Sequence, residues 1–327
     1  MPDGERSEEE RPDREAERLQ PSELLALRLI EGAGHVRIRT ILSVLQAWEC
    51  PFAEAVRLPA PTLAAWFPSG SARLAGLLAA CTAEIRMAVE RMIAEAAERG
   101  IYPLSFQDSR YPAALSAALG NAAPVLLFAQ GNPDLLSDDA AGIVGTRRPS
   151  EEGLCWAEAC ARVFAARDIP VISGGARGID TAAHEAVLHA GGRTVVVLPQ
   201  GLLTYPVPPR YAAAIEAGRA LLLSEFHLGA PWRTHAAVTR NATISALSSL
   251  LCVIEPHSLN GSLLTARHCL DQGKPVFHAG LCPADHPLTR RRNARPLLAK
   301  TGRVDPGRIL RVFGQARTPL PRQSELF

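Results

Sequence analysis

From Pro21 to about Gly100 apolar residues return every three or four positions, as in SELLALRLI, VRIRTILSVLQAW and SARLAGLLAACTAEIRMAVERMIAEAAERG. That period puts an apolar stripe on each of several helices, and Gly100 ends the last of them. A connector with short strand-like pieces and Pro/Gly breaks follows, up to about Leu136. The pattern then changes to short apolar runs separated by helical stretches. Strands are predicted at 142–146, 170–173, 193–199, 220–225, 250–255 and 275–278. Helices are predicted at 151–167, 179–190, 208–218, 240–249 and 261–272. Strands joined by single helices imply right-handed crossovers and a parallel sheet covered on both faces. The fold class is therefore α/β, a Rossmann-like doubly wound parallel sheet preceded by a small helical domain. Such sheets bind ligands beyond the carboxyl ends of their strands.

The predicted division is a disordered tail at 1–20, a helical domain at 21–99, the sheet domain at 100–315 and a tail at 316–327. The first of these is polar and alternates in charge. Between the first two helices, Glu31-Gly32-Ala33-Gly34-His35 has the form of a helix-hairpin-helix turn. Its amides could meet a DNA phosphate, or it could be a plain interhelical turn; the residues leave both readings open.

Composition narrows the class. With 47% hydrophobic and 21% charged residues the 327-residue chain is an ordinary globular one. It has no run of eighteen apolar residues, and its first residues are acidic and unlike a signal peptide, so a cytoplasmic location with no membrane contact is expected. The seven cysteines form no CxxC pair, which argues against a disulfide frame or zinc site and suits reduced thiols. Net charge is only +2, yet residues 287–327 carry ten Lys/Arg against two acids. Such a basic run is usually solvated surface.

The candidate chemistry falls at the strand ends. After the first long strand comes Gly145-Thr146-Arg147-Arg148-Pro149-Ser150, a tight turn with a hydroxyl and a guanidinium before a helix N-terminus. It lacks GxGxxG, so a nicotinamide dinucleotide is not supported, and no cofactor or metal is expected. After the next strand comes Ser173-Gly174-Gly175-Ala176-Arg177-Gly178-Ile179-Asp180. Three glycines there cost backbone entropy and suggest close approach to a ligand, with Arg177 supplying charge and Asp180 capping the helix or orienting Arg177. His184 follows on that helix without a nucleophile or partner carboxylate, so a structural histidine is favoured over a catalytic one. Thr239-Arg240-Asn241-Ala242-Thr243 and Asn260-Gly261-Ser262-Leu263-Leu264-Thr265 each place polar groups where a helix is expected to begin, which suits phosphate oxygens or ordinary capping.

Together these segments resemble the DprA/Smf DNA-processing family. The matching text is IVGTRRPS, VISGGARGIDTAAHEAVLHAGGRTVVVLPQGLLTYP, LLLSEF, RNATISALS, NGSLLTA and GKPVFHAG, in order over about residues 100–280. The resemblance implies a non-catalytic protein that binds single-stranded DNA, forms a homodimer and helps load a RecA-type recombinase during natural transformation. By position, it implies a nucleic-acid pocket of Gly145, Thr146, Arg147, Ser173, Gly174, Gly175, Arg177, Gly178, Asp180, Arg240, Asn241, Gly261, Ser262 and Thr265.

Departures from the family pattern are Ala242 for a second arginine, Ala237 for an aromatic, Asn260 for a small hydroxyl residue, and Ala279-Gly280 for Pro-Gly. No region of winged-helix size follows residue 315. A nucleotide sensor or hydrolase is the alternative reading. Against it, Pro199-Gln200-Gly201-Leu202-Leu203-Thr204 lacks the glycine pair of such hydrolases. A scaffold for protein contact is a third.

Overall fold

The structure, a computed structural model, describes residues 19–67, 72–256, 261–280 and 287–316. The chain divides into two compact units, Met1–Arg86 and Met87–Phe327. The first contains α1 (Pro21–Leu29), α2 (His35–Ala47), α3 (Phe52–Ala55), α4 (Ala60–Trp66) and α5 (Ala72–Ala79). Its core gathers Leu24, Leu25, Leu27, Ile38, Ile41, Leu63 and Leu78, the apolar positions that recur at helical spacing. The hairpin between α1 and α2 turns at Gly32, whose φ is +83°. Arg37 and Arg28 close this turn by donating to the carbonyls of Gly32 (2.6 Å) and Ala33 (3.0 Å). The boundary between the units falls inside α6 (Ala83–Glu98).

The second unit holds one nine-stranded sheet. In chain order its elements are β1 (Ile101–Ser105), α7 (Ala113–Leu119), β2 (Leu126–Gly131), β3 (Ala140–Gly145), α8 (Glu151–Ala165), β4 (Val171–Ser173), α9 (Ile179–His189), β5 (Thr194–Leu198), α10 (Pro209–Glu216), β6 (Ala220–Ser224), α11 (Thr234–Leu247), β7 (Ser248–Ile254), α12 (Gly261–Asp271), β8 (Val276–Ala279), β9 (Ala294–Pro296) and α13 (Pro306–Ala316). The strand order is β1-β2-β6-β5-β4-β3-β7-β8-β9. Strands β3 to β9 pair in parallel, while β1 and β2 add an antiparallel edge beside β6. The connector thus supplies two further strands, and the sheet is mixed rather than wholly parallel. Pro103 in β1 has no N–H to donate, as suits an edge strand.

Residue alternation along β7 shows how the sheet is covered. Leu251 and Val253 join a core under α11 and α12, whereas Leu250, Cys252 and Ile254 join a core under α8, α9 and α13. The chain leaves β3 toward β4 on one side and leaves β7 toward β8 on the other. Adjacent strands that depart in opposite directions open a crevice at their carboxyl ends. Four of the sequence-selected segments converge on that rim.

Candidate nucleic-acid interface

The two glycine loops interlock. A Cβ on Gly145 would stand 2.3 Å from the Ile254 carbonyl, and one on Gly178 (φ +91°) would stand 2.4 Å from the Thr146 carbonyl. That same carbonyl accepts from Ile179 N at 3.2 Å. A Cβ on Gly174 would lie 1.9 Å from Arg240 Nη1, and one on Gly175 (φ +65°) would lie 2.9 Å from Val196. The glycines are therefore needed for the close approach of protein to protein.

Arg240 and Asn241 lie in the middle of α11, which begins six residues earlier than Arg240 at Thr234; they are not at a helix start as expected. Polar Thr234 and His235 obscure the apolar period there, so the sequence pattern misses the first turns. Arg240 is 4% exposed and donates to the Val197 carbonyl at 2.5 Å. Burial draws its pKa below the ordinary arginine value, opposed by Asp180 and Glu225 and assisted by Arg147. Asp180 is buried as well and accepts from the backbone N–H groups of Gly174 (3.2 Å) and Ala176 (3.4 Å). Burial raises its pKa; the Arg240 charge and those amides lower it. Buried charges persist when opposite charges and hydrogen bonds offset their desolvation, and these two side chains, each hydrogen-bonded to backbone at the strand ends, brace the loop from below.

Ser173 is fully buried and donates its hydroxyl to the Ile143 carbonyl, so it is part of the frame rather than the surface. The Thr146 hydroxyl accepts from Arg148 N at 3.2 Å and shapes the turn. His184 has no exposure and its Nδ1 lies 2.7 Å from Thr194 Oγ1. That hydroxyl already donates to the Val171 carbonyl at 2.8 Å, so Nδ1 carries the proton. Burial, with Arg240 and Arg210, lowers the His184 pKa to about 3, and the ring is a neutral structural one.

What remains on the surface is the positive charge. Arg147, Arg148 and Arg177 are exposed. Among the described residues none of them pairs with a carboxylate. The backbone amides of Arg147, Arg177 and Gly178 likewise have no acceptor among the described residues. Strands β3 and β4 are neighbours, so the two loops sit about 4.8 Å apart at their roots. Across the crevice, Asn241 Nδ2 donates to the Gly261 carbonyl at 3.2 Å and Thr265 Oγ1 donates to the same carbonyl at 3.0 Å. Ser262, 8% exposed in the first turn of α12, has a buried hydroxyl with no hydrogen-bond partner among the described residues. Asn260 lies outside the described residues.

A family model described as DNA recombination-mediator protein A matches residues 103–299. The chain belongs to the DNA recombination-mediator protein A family. Over 158 residues it is 39% identical to Protein Smf of Escherichia coli K12, a match covering 47% of this chain and 42% of Smf. Over 175 residues it is 36% identical to the DNA processing protein DprA of Streptococcus pneumoniae, covering 53% of this chain and 61% of that protein. The chain thus spans about half the length of the curated relatives it matches. The X-ray structure of DprA from Streptococcus pneumoniae superposes with a TM-score of 0.65 at 25% identity, covering 82% of this chain and 89% of that one.

Glu255, just past β7, has a left-handed φ of +46° and places its carboxylate on the N-terminus of α8. It accepts from Ser150 N at 2.9 Å and from the Ser150 hydroxyl. Ser150 Oγ in turn accepts from Gly153 N at 3.0 Å. A Cβ on Gly153 or Gly280 would come within 2.7 Å of Glu255. The helix end expected to hold a phosphate is therefore filled by the chain's own carboxylate. The Glu255–Ser150 pair is separated by 105 residues, and no local pattern announces it.

Proposed function

We propose that this chain binds single-stranded DNA in the crevice at the carboxyl ends of β3, β4 and β7. Arg147 and Arg177, with the free amides beside them, meet successive phosphates, while Asn241 and Ser262 lie within the opposite wall. Arg240, Asp180, Ser173 and the glycines hold the loops in place. The observation that carries this reading is the pair of exposed arginines on adjacent loops, unpaired among the described residues and backed by a buried polar frame. A guanidinium matches a phosphate in a two-pronged contact.

The reading includes action by binding rather than turnover, in DNA uptake and recombination. It includes protection of single strands and help to a RecA-type recombinase. A homodimer and a cytoplasmic location complete it. Family membership and the resemblance of the motifs support these roles. No helix among the described residues is long and apolar enough to cross a membrane.

The test is fluorescence anisotropy with labelled single-stranded and duplex oligonucleotides over a salt series. Wild type should prefer the single strand. Arg147→Ala and Arg177→Ala should each weaken binding several-fold and flatten the slope of log K against log salt by about 0.7. Absence of single-strand binding at low salt, or binding indifferent to both substitutions, would overturn the reading. Turnover of nucleoside monophosphates by the wild type would replace it with the nucleotide-hydrolase alternative.

A further inference from the structure

Few large apolar side chains stand in solvent, and one of them lies at the head of α11. Trp232 is 49% exposed, and Val238 one turn into the helix is 46% exposed. Arg233, Thr234, His235 and Thr239 share this surface and are exposed too. An exposed indole costs hydrophobic free energy unless something covers it in use.

The position of Trp232 follows from the backbone. Two residues before it, the Ala230 carbonyl accepts from Gly201 N and from Thr204 Oγ1, each at 2.9 Å, in the loop that follows β5. Strand β5 is the neighbour of β4, whose loop carries Arg177. Further along α11, Arg240 reaches Val197 at the end of β5 and lies against Gly174 at the end of β4. Helix α11 therefore meets the rim at Arg240. Its earlier residues project past the carboxyl ends of the strands by about 10 Å, at 1.5 Å per residue. Trp232 stands at the top of that wall, on the same rim as Arg177 and Arg147, with Arg233 beside it.

From this placement we infer that Trp232 is a stacking platform for an unpaired nucleobase of the strand whose phosphates lie on Arg147 and Arg177. The inference rests on the single-stranded-DNA reading above. Charge complementarity selects this occupant: the apolar ring is flanked by Arg233 and shares a rim with unpaired cations, a combination that fits a base carried on a polyanion. A base inside a duplex is already stacked and would gain nothing from the ring. Trp232 therefore contributes to preference for single strands as well as to affinity.

The experiment compares wild type, Trp232→Ala and Trp232→Phe. It measures anisotropy with a labelled thymidine oligomer, an abasic oligomer of the same length and a duplex. Tryptophan fluorescence is followed in parallel, with Trp232→Phe subtracting the signal of Trp48, Trp66 and Trp156. Trp232→Ala should bind the thymidine oligomer about ten-fold more weakly, and its salt slope should stay as in wild type. Affinity for the abasic oligomer and the duplex should not change, Trp232→Phe should recover most of the loss, and wild-type fluorescence should be quenched on binding. If wild type binds the thymidine oligomer and Trp232→Ala binds it equally, the stacking role is wrong while the DNA reading stands. If wild type binds no single strand, both fall. If Trp232→Ala instead loses affinity for the abasic oligomer and falls to a smaller mass by light scattering, the patch joins protein copies and the stacking role is overturned.

Discussion

The two ends of the sheet differ in a way that cavity size alone would misjudge. At the amino ends of β3, β7 and β8 lies a cavity of about 890 Å³, bordered by α7 and by the ends of α12 and α13. Several of its polar groups are already engaged. Lys274 Nζ donates to the carbonyls of Ser245 (2.8 Å) and Ala246 (2.7 Å), closing the end of α11. Asp271 pairs with Arg291, Asp138 with Arg193, and Asn293 donates to the Gly273 carbonyl. At the carboxyl ends the rim carries Arg147 and Arg177, unpaired among the described residues, over buried Arg240 and Asp180, which are hydrogen-bonded to the Val197 carbonyl and to the Gly174 and Ala176 amides. A group that already has its partner gains little from a ligand, whereas a held but unpaired cation gains a charge-assisted bond.

Glycine substitution should separate the two ends most sharply. Gly174→Ala puts a Cβ 1.9 Å from the buried Arg240 guanidinium and should cost about 3 kcal/mol or more in stability. Gly273→Ala, beside the cavity, meets nothing within 4 Å and carries only the strain of φ +74°, about 1 kcal/mol. Urea titration of both variants measures this, and equal losses would break the contrast.

Acid should act next, through His184, which is fully buried on α9 against Thr194 at the start of β5. Its folded pKa of about 3 lies below the ordinary 6.5, so the unfolded chain takes the proton first as pH falls. Stability is present above pH 6.5 and is lost as pH descends from there toward 3. Between pH 6.5 and 5 the loss from this group should be about 2 kcal/mol. Denaturation midpoints at the two pH values test it, and His184→Asn should flatten the dependence. An unchanged slope in that variant would mean the ring is not the dry group described.

The smallest effect belongs to the cavity end. Lys274 has its pKa lowered from 10.5 to about 8, first by burial. Above pH 8 the unfolded chain holds that proton more tightly, so stability rises with pH. Cys269, pushed up from 9.0 to about 11 by burial, acts oppositely above pH 9. The net gain is therefore confined to about pH 8–9 and amounts to about 1 kcal/mol. Lys274→Met should abolish it while leaving DNA affinity as in wild type. A loss of affinity in that variant would draw the cavity end into the binding site.

Much of this molecule is legible in the order of its residues. Apolar runs such as TVVVL at β5 and SSLLCVI at β7 are too short for helices and too apolar for loops, and they fall where strands form. The motif GTRRPS and the run SGGARGID follow adjacent parallel strands, so their placement on one rim follows from the right-handed crossover. The antiparallel edge was not legible, because β1 contains a proline and β2 ends in Gln130-Gly131, which weakens the strand signal. The early start of α11 was hidden by its polar first turn.

Sequence by itself determined the alternation of strands and helices, the family, and the presence of arginines and glycines at the strand ends, since these depend on local period and residue type. Only the tertiary structure decided what each of those residues does. Gly174 is a glycine because Arg240, 66 positions away, needs its space. The N-terminus of α8 is filled because Glu255 folds back onto Ser150 from the end of a different strand. Such contacts join residues far apart in the chain, and steric exclusion and charge pairing at that range exist only once the sheet has brought its strand ends together.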